Sequence, residues 1–288
     1  MKPLVVFILA QAKKISDGDL STTANAVSFK LLLALFPFLL FLLTVAGFLD
    51  LDLYALLYAI DDFLPAEVIG IMESFGEQVI GVHMTGLLYA SLVMAGISST
   101  SAFRTLVAGI NKAYSMTDTR HPALVWLLSF LLVNIFILAL IINMGGLIFI
   151  GVIESFVVGM NYYSPAFTRL QYFLSYLVSF AFTVIAVLAT NYFAISNKLP
   201  VRRILPGACF TVVVWMAASY GFSFFVGNFS RMGAVYGSVW AVMVLMTWLN
   251  IICRVLLYGG AVNAAIQAKV EGGGIKEAHV QYETIIKE

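Results

Sequence analysis

The stretch Leu31-Leu32-Leu33-Ala34-Leu35-Phe36-Pro37-Phe38-Leu39-Leu40-Phe41-Leu42-Leu43-Thr44-Val45-Ala46-Gly47-Phe48 carries no charge. With Ala24 to Lys30 ahead of it, it forms one apolar segment over 24–49 in which Lys30 is the only charged residue. A helix of about 20 mostly apolar residues crosses the hydrocarbon core of a bilayer. This segment therefore predicts a membrane-spanning helix, and Asp19 or Ser21 can cap its first free N–H groups. Pro37 removes a backbone hydrogen bond in mid-helix and is expected to kink it. Working outward, five further segments meet the same criterion: 84–106, 122–153, 170–195, 204–227 and 234–266. The third and sixth exceed one crossing. They are expected to tilt, protrude or break, with Gly145-Gly146 and Gly259-Gly260 as the break points.

Composition agrees. Of the 288 residues, 61% are hydrophobic and 11% charged, against roughly 45–50% and about 25% in soluble domains. A soluble domain of this length has too little interior for that apolar excess. The predicted class is all-α: a polytopic bundle of about six transmembrane helices with short interfacial helices. Residues 1–18 read as a cytoplasmic interfacial helix, although Ala10-Gln11-Ala12 resembles a signal-peptide cleavage site. Residues 19–268 form the membrane domain. Within it, 50–82 is an amphipathic outer segment, with Val68, Ile69, Met72, Phe75 and Val79 at helical spacing. Residues 269–288 form a cytoplasmic tail.

Lys and Arg set the orientation. Lys2, Lys13, Lys14, Arg104, Lys112, Arg120, Lys198, Arg202, Arg203, Lys269, Lys276 and Lys287 fall on one side of a six-span topology, and only Arg169 and Arg231 on the other. Both termini are expected to be cytoplasmic. The opposite side is acidic through Asp50, Asp52, Asp61, Asp62, Glu67, Glu73 and Glu77. The basic loops follow from this rule alone, so no nucleic-acid partner is expected. Cys209 and Cys253 lie in apolar stretches and read as small core residues.

Polar residues inside spans are costly and mark either packing surfaces or a pathway. Hydroxyl residues recur at helical spacing: Thr211, Ser219 and Ser223 with Trp215; Ser175, Ser179, Thr183 and Thr190; Ser91 with Ser98 to Ser101. Packing between helices is their simpler explanation. Lys30 and Arg254 are sharper, because no Asp or Glu lies mid-span to neutralise them. They either snorkel to the inner headgroups or face a cavity and attract an anionic group. The candidate substrate pathway is Lys30, Arg104, Asn111, Asn134, Asn143, Asn250 and Arg254.

There is no phosphate-binding glycine loop. His83, His121 and His279 show no metal-ligand spacing. No catalytic set, metal or cofactor is expected, and an enzyme ranks last.

Four motifs in order resemble the YihY/BrkB family of bacterial inner-membrane proteins, some of which carry the label ribonuclease BN. They are Ala24-Asn25-Ala26-Val27-Ser28-Phe29 running on to Leu35-Phe36-Pro37; Phe103-Arg104-Thr105-Leu106 with Ile110-Asn111-Lys112-Ala113-Tyr114; Pro206-Gly207-Ala208 with Trp215; and Tyr236-Gly237-Ser238, Thr247-Trp248-Leu249-Asn250 and Gly259-Gly260-Ala261-Val262-Asn263. The likeness covers about Asp19 to Ala265. Asn250 departs from it, standing where the family usually has Tyr. The resemblance implies a six-helix bundle, and it marks Gly207, Trp215, Tyr236, Gly237, Trp248 and Asn263, with Pro37, as hinge or packing positions. Moving lipids or other amphiphiles across the inner membrane fits such a bundle. The expected function is transport or export of an amphiphilic, anionic substrate. The alternative is a scaffold or assembly factor that binds partner helices.

Overall fold

A computed structural model of the chain describes residues 19–48, 73–74, 85–114, 116–139, 165–228 and 236–270. The readings for 1–18, for the tail beyond Val270, for Asn143 and Gly145-Gly146, and for 50–82 apart from Glu73 and Ser74 lie outside these residues. Six helices are long and apolar enough to span a membrane. They are α1 (Asp19–Phe48), α2 (Thr85–Ala113), α3 (Pro122–Ala139), α4 (Pro165–Ala194), α5 (Val201–Asn228) and α6 (Ser238–Val270). Each span comes from one predicted segment, as hydropathy over a bilayer's thickness requires.

The boundaries differ where local capping overrides hydropathy. Helix α2 runs on through Arg104, Asn111 and Lys112, so these are helical residues and not loop residues. Helix α3 starts with Pro122 at its first position, where a missing N–H costs nothing. His121 caps it: its Nδ1 accepts from Ala123 N at 3.3 Å and its carbonyl from Leu124 N at 2.9 Å. Helix α6 follows Gly237, whose φ of +55° suits a glycine, and Trp240 N donates to Gly237 O at 3.0 Å.

One expectation is corrected. Helix α6 is continuous through Gly259-Gly260. A glycine pair weakens a helix in water, but between membrane helices it permits close backbone approach, and that is its use here. Helix α1 holds Pro37 within its length.

The chain divides into two compact units. One holds α1, residues 85–106 of α2, 215–228 of α5 and 238–255 of α6. Its buried side chains include Ala24, Val27, Ser28, Leu32, Ala102, Phe103, Ile252 and Cys253. The other holds the end of α2, α3, α4, residues 201–214 of α5 and the last part of α6. Val107, Ile110, Ala186, Val187, Ile204, Ala208, Val212 and Leu257 are buried in it.

Large apolar side chains stay exposed, among them Phe36, Val93, Leu138, Phe173, Met216 and Phe224. Such side chains are at home against lipid tails. Several hydroxyls of the stripes are satisfied within their own helices, while Ser219 Oγ is buried without a partner among the described residues. Thr100 donates to Gly96 O at 2.6 Å, Thr183 to Ser179 O at 2.8 Å, Thr190 to Ala186 O at 2.9 Å and Thr211 to Gly207 O at 2.8 Å. A hydroxyl bonded to the carbonyl one turn earlier needs no partner helix and no water.

Candidate functional site

In the unit built on α1, three helices gather polar side chains. Lys30, part-buried on α1, donates from Nζ to Thr105 Oγ1 on α2 at 2.6 Å. Asn250 on α6 donates from Nδ2 to Asn25 Oδ1 at 2.7 Å and to Ser28 Oγ at 3.2 Å. Arg254, one turn further along α6, reaches Asn25 Oδ1 from Nη2 at 3.4 Å, and its Nε is buried with no partner among the described residues. By helical periodicity Asn25 and Lys30 lie toward opposite edges of a face of α1 that also carries the exposed Phe29, Leu33 and Phe36. Among the described residues both cations bond neutral groups, Thr105 and Asn25. Among the described residues neither has an ion pair.

An isolated cation in a membrane helix costs about 2.5–3.5 kcal/mol or more at the centre, and less near the interface. Neutral acceptors recover part of that cost. The remaining N–H donors of Arg254 form a planar fork suited to a phosphate or carboxylate.

In the other unit the polar residues lock helix ends together. Asn111 is 2% exposed, and both ends of its amide are engaged. Its Nδ2 donates to Val107 O at 3.0 Å and to Ala194 O at 2.7 Å, while its Oδ1 accepts from Ser196 N and Oγ, both at 2.9 Å. Ala194 O also accepts from Arg120 Nη2 at 2.7 Å, and Phe193 O accepts from Nη1 at 2.8 Å. The last carbonyls of α4 have no partners in their own helix, and a cation there also meets the negative end of the helix dipole. Asp118 holds the guanidinium in place through Nε at 2.8 Å and Nη2 at 2.6 Å.

The Arg120 guanidinium beside Asp118 holds that carboxyl below the usual carboxylate range, chiefly through the hydrogen bond. A depressed carboxyl stabilises the fold above its unfolded pKa and loses that contribution as pH falls through its folded pKa. The stabilisation from this pair is expected to stay constant down to about pH 4 and to decline below it. Acid titration of the melting midpoint, compared with Asp118→Asn, measures it: the variant should lack that part of the slope.

Helices α5 and α6 meet at a second junction. Pro206 has no N–H to give to α5. The next N–H, that of Gly207, donates to Asn263 Oδ1 at 2.7 Å. A side chain on Gly207 would collide with the Asn263 side chain and the Gly259 carbonyl, and one on Gly259 would collide with Thr211. Arg203 Nη1 adds a bond to Gln267 Oε1 at 3.0 Å.

A model of the family described as virulence factor BrkB matches residues 12–281. The chain belongs to the BrkB family. YfkH of Bacillus subtilis, which carries a ribonuclease-like name, is 30% identical over 243 residues, 83% of this chain and 86% of the relative. A UPF0761 membrane protein of Acinetobacter baylyi is 23% identical over 278 residues, 91% of this chain, and the chain spans 62% of that relative's length. No solved structure matches.

In this BrkB chain the predicted pathway residues fall into different settings. Lys30 on α1 shares one unit with Asn250 and Arg254 on α6, which reach the Asn25 edge of α1. Arg104 is exposed on α2. Asn111 is a brace between α2 and the end of α4. Asn134 is exposed and donates to Phe130 O at 2.7 Å. It lines an otherwise apolar groove of about 310 Å³ with Leu128, Leu131, Leu132, Ile135, Leu138 and Phe193. Of the hinge and packing residues, Gly207 and Asn263 are in direct contact. Tyr236 is exposed, and Trp215 and Trp248 are half-buried.

Sequence reasoning missed Asn25, Ser28 and Thr105 as partners of the cations, although all three lie in the quoted motifs. It also missed Asn191, Ser196, Asp118 and the capping role of Arg120. Among the described residues no three His, Cys, Asp or Glu side chains come together as a metal site.

Proposed function

We propose that this BrkB-family membrane protein carries an anionic amphiphile, such as an anionic phospholipid, across a bacterial inner membrane, with both termini cytoplasmic. One observation carries the reading. Lys30 and Arg254 sit on membrane helices, half-buried, against Thr105 and Asn25 and no carboxylate among the described residues. A cation retained there at a cost fits a negative headgroup as its counter-charge, and the exposed Phe29, Leu33 and Phe36 between the two fit an acyl chain. Arg254 binds the headgroup through its fork, Lys30 supplies a second charge, and Asn250 holds Asn25 and Ser28 in register. The orientation is supported by Lys112, Arg120, Arg202 and Arg203, at the ends of α2, α4 and α5 that the charge rule assigns to the cytoplasm.

Proteoliposomes with a fluorescent anionic phospholipid and an external quencher test this. The wild type should move the lipid between leaflets. Arg254→Leu should slow the movement about tenfold or more, the loss of one charged hydrogen bond of about 1.5–3 kcal/mol. Equal rates in folded wild type and variant would remove Arg254 from the pathway. The ribonuclease-like name of the Bacillus relative suggests hydrolysis, and no arrangement in the described residues develops it.

A further inference from the structure

Among the described residues, three side chains in the unit that holds α3 and α4 end in buried polar atoms without a hydrogen-bond partner. They are the Tyr114 hydroxyl, Asn191 Oδ1 and Asn263 Nδ2. Tyr114 is 9% exposed, and the two asparagines 1% each. They lie in one neighbourhood, where α2, α4 and α6 pack together. Asn191 Oδ1 lies 3.5 Å from where a β-carbon on Gly260 would stand, and the Ile110 side chain lies 3.7 Å from the same point. Tyr114 is one turn beyond Ile110 at the end of α2, and Asn263 is one turn beyond Gly260 on α6. The Tyr114 hydroxyl lies next to the Asn263 amide.

The orientation of both amides is settled by their other ends. Asn191 Nδ2 donates to Val187 O at 3.0 Å, and Asn263 Oδ1 accepts from Gly207 N at 2.7 Å. Turning either amide over would set two oxygens or two N–H groups against each other. What remains is one acceptor, one donor and one hydroxyl that serves as either. A metal cation is repelled by the Asn263 N–H, and an anion by Asn191 Oδ1. A neutral molecule with both functions fits all three, and buried waters typically make about three such bonds.

We propose that one ordered water molecule binds between α2, α4 and α6. It donates to Asn191 Oδ1, accepts from Asn263 Nδ2 and bonds the Tyr114 hydroxyl. Gly260 is the residue that leaves room for it, since a methyl group there would stand against Asn191 Oδ1. This site is independent of the transport reading.

Radiolytic hydroxyl labelling of the full chain in nanodiscs, read by mass spectrometry, tests it, because a bound water generates the radical in place. Tyr114 should be labelled despite its burial, while Phe103, 8% exposed, should not. Labelling of Tyr114 should fall to the Phe103 level in Asn191→Leu. It should fall likewise in Gly260→Ala, whose methyl makes only ordinary contacts, so that variant folds even where Asn191→Leu does not. A wild-type Tyr114 as unreactive as Phe103 overturns the site. So does labelling that persists in Gly260→Ala, which would trace it to bulk solvent.

Discussion

Asn111→Leu should lower the melting midpoint of the purified protein by roughly 5–10 °C. Leu has the branched skeleton of Asn but a larger volume, so the change removes the hydrogen bonds and adds some crowding at this buried site. The Asn111 amide joins α2 to the end of α4 through Ala194 O and through Ser196 N and Oγ. With Leu in place, the half-buried Ser196 N–H and hydroxyl both lose their acceptor, and a group left without a partner costs up to about 1–3 kcal/mol. Ala194 O keeps Arg120, so the loss is set mainly by Ser196 and totals about 3 kcal/mol. In a chain of this size each kcal/mol moves the midpoint by about 2–4 °C. Thermal melts in detergent at a fixed scan rate measure it. An unchanged midpoint would mean that Asn111 does not brace the bundle.

Gly207→Ala should do more harm than its single methyl suggests. That methyl would collide with the Asn263 side chain and with the backbone carbonyl of Gly259. A side chain can turn aside, but a helix carbonyl moves only with its helix. Helices α5 and α6 must therefore separate, and the Gly207–Asn263 bond at 2.7 Å is lost with the contact. Overpacking usually costs about 1–3 kcal/mol, and the lost bond adds about 1 kcal/mol. Gly96→Ala and Gly221→Ala are the controls, since a methyl at either meets nothing within 4 Å. Both should be neutral or slightly stabilising, as Ala favours a helix by about 0.5–1 kcal/mol. The adding of Asn263→Ala to Gly207→Ala should rescue little, because the Gly259 carbonyl remains. A Gly207→Ala midpoint equal to those of the controls would contradict the close α5–α6 contact.

The spans were legible because a bilayer imposes one length and one polarity on every helix that crosses it. Leu31 to Phe48 needs no tertiary information to be read as a span. What escaped was pairing. Asn263 and Gly207 each stood out in a motif, yet nothing along the chain says that one bonds the other's N–H. Arg120 was read as one more positive charge in an inner loop, because the carbonyls it caps belong to Phe193 and Ala194, far away in sequence. Gly259-Gly260 was read as a break because glycine's weakness in a helix is visible locally, whereas the side chain of Thr211 packed against it is not. Asn25 was noticed only as part of a motif, although Asn250 and Arg254 both reach for its Oδ1. Lys30 and Arg254 stand out in the sequence alone, since a charge in an apolar run is conspicuous without a structure.

The direct test of the central claim is lipid mass spectrometry on protein purified in nanodiscs of mixed composition, comparing wild type with Lys30→Met and Arg254→Leu. The account predicts enrichment of one anionic amphiphile over the surrounding lipid in the wild type, lost in both variants. The bulk lipid profile in all three samples would contradict it and leave Lys30 and Arg254 as snorkelling or packing residues of a bundle that serves another purpose.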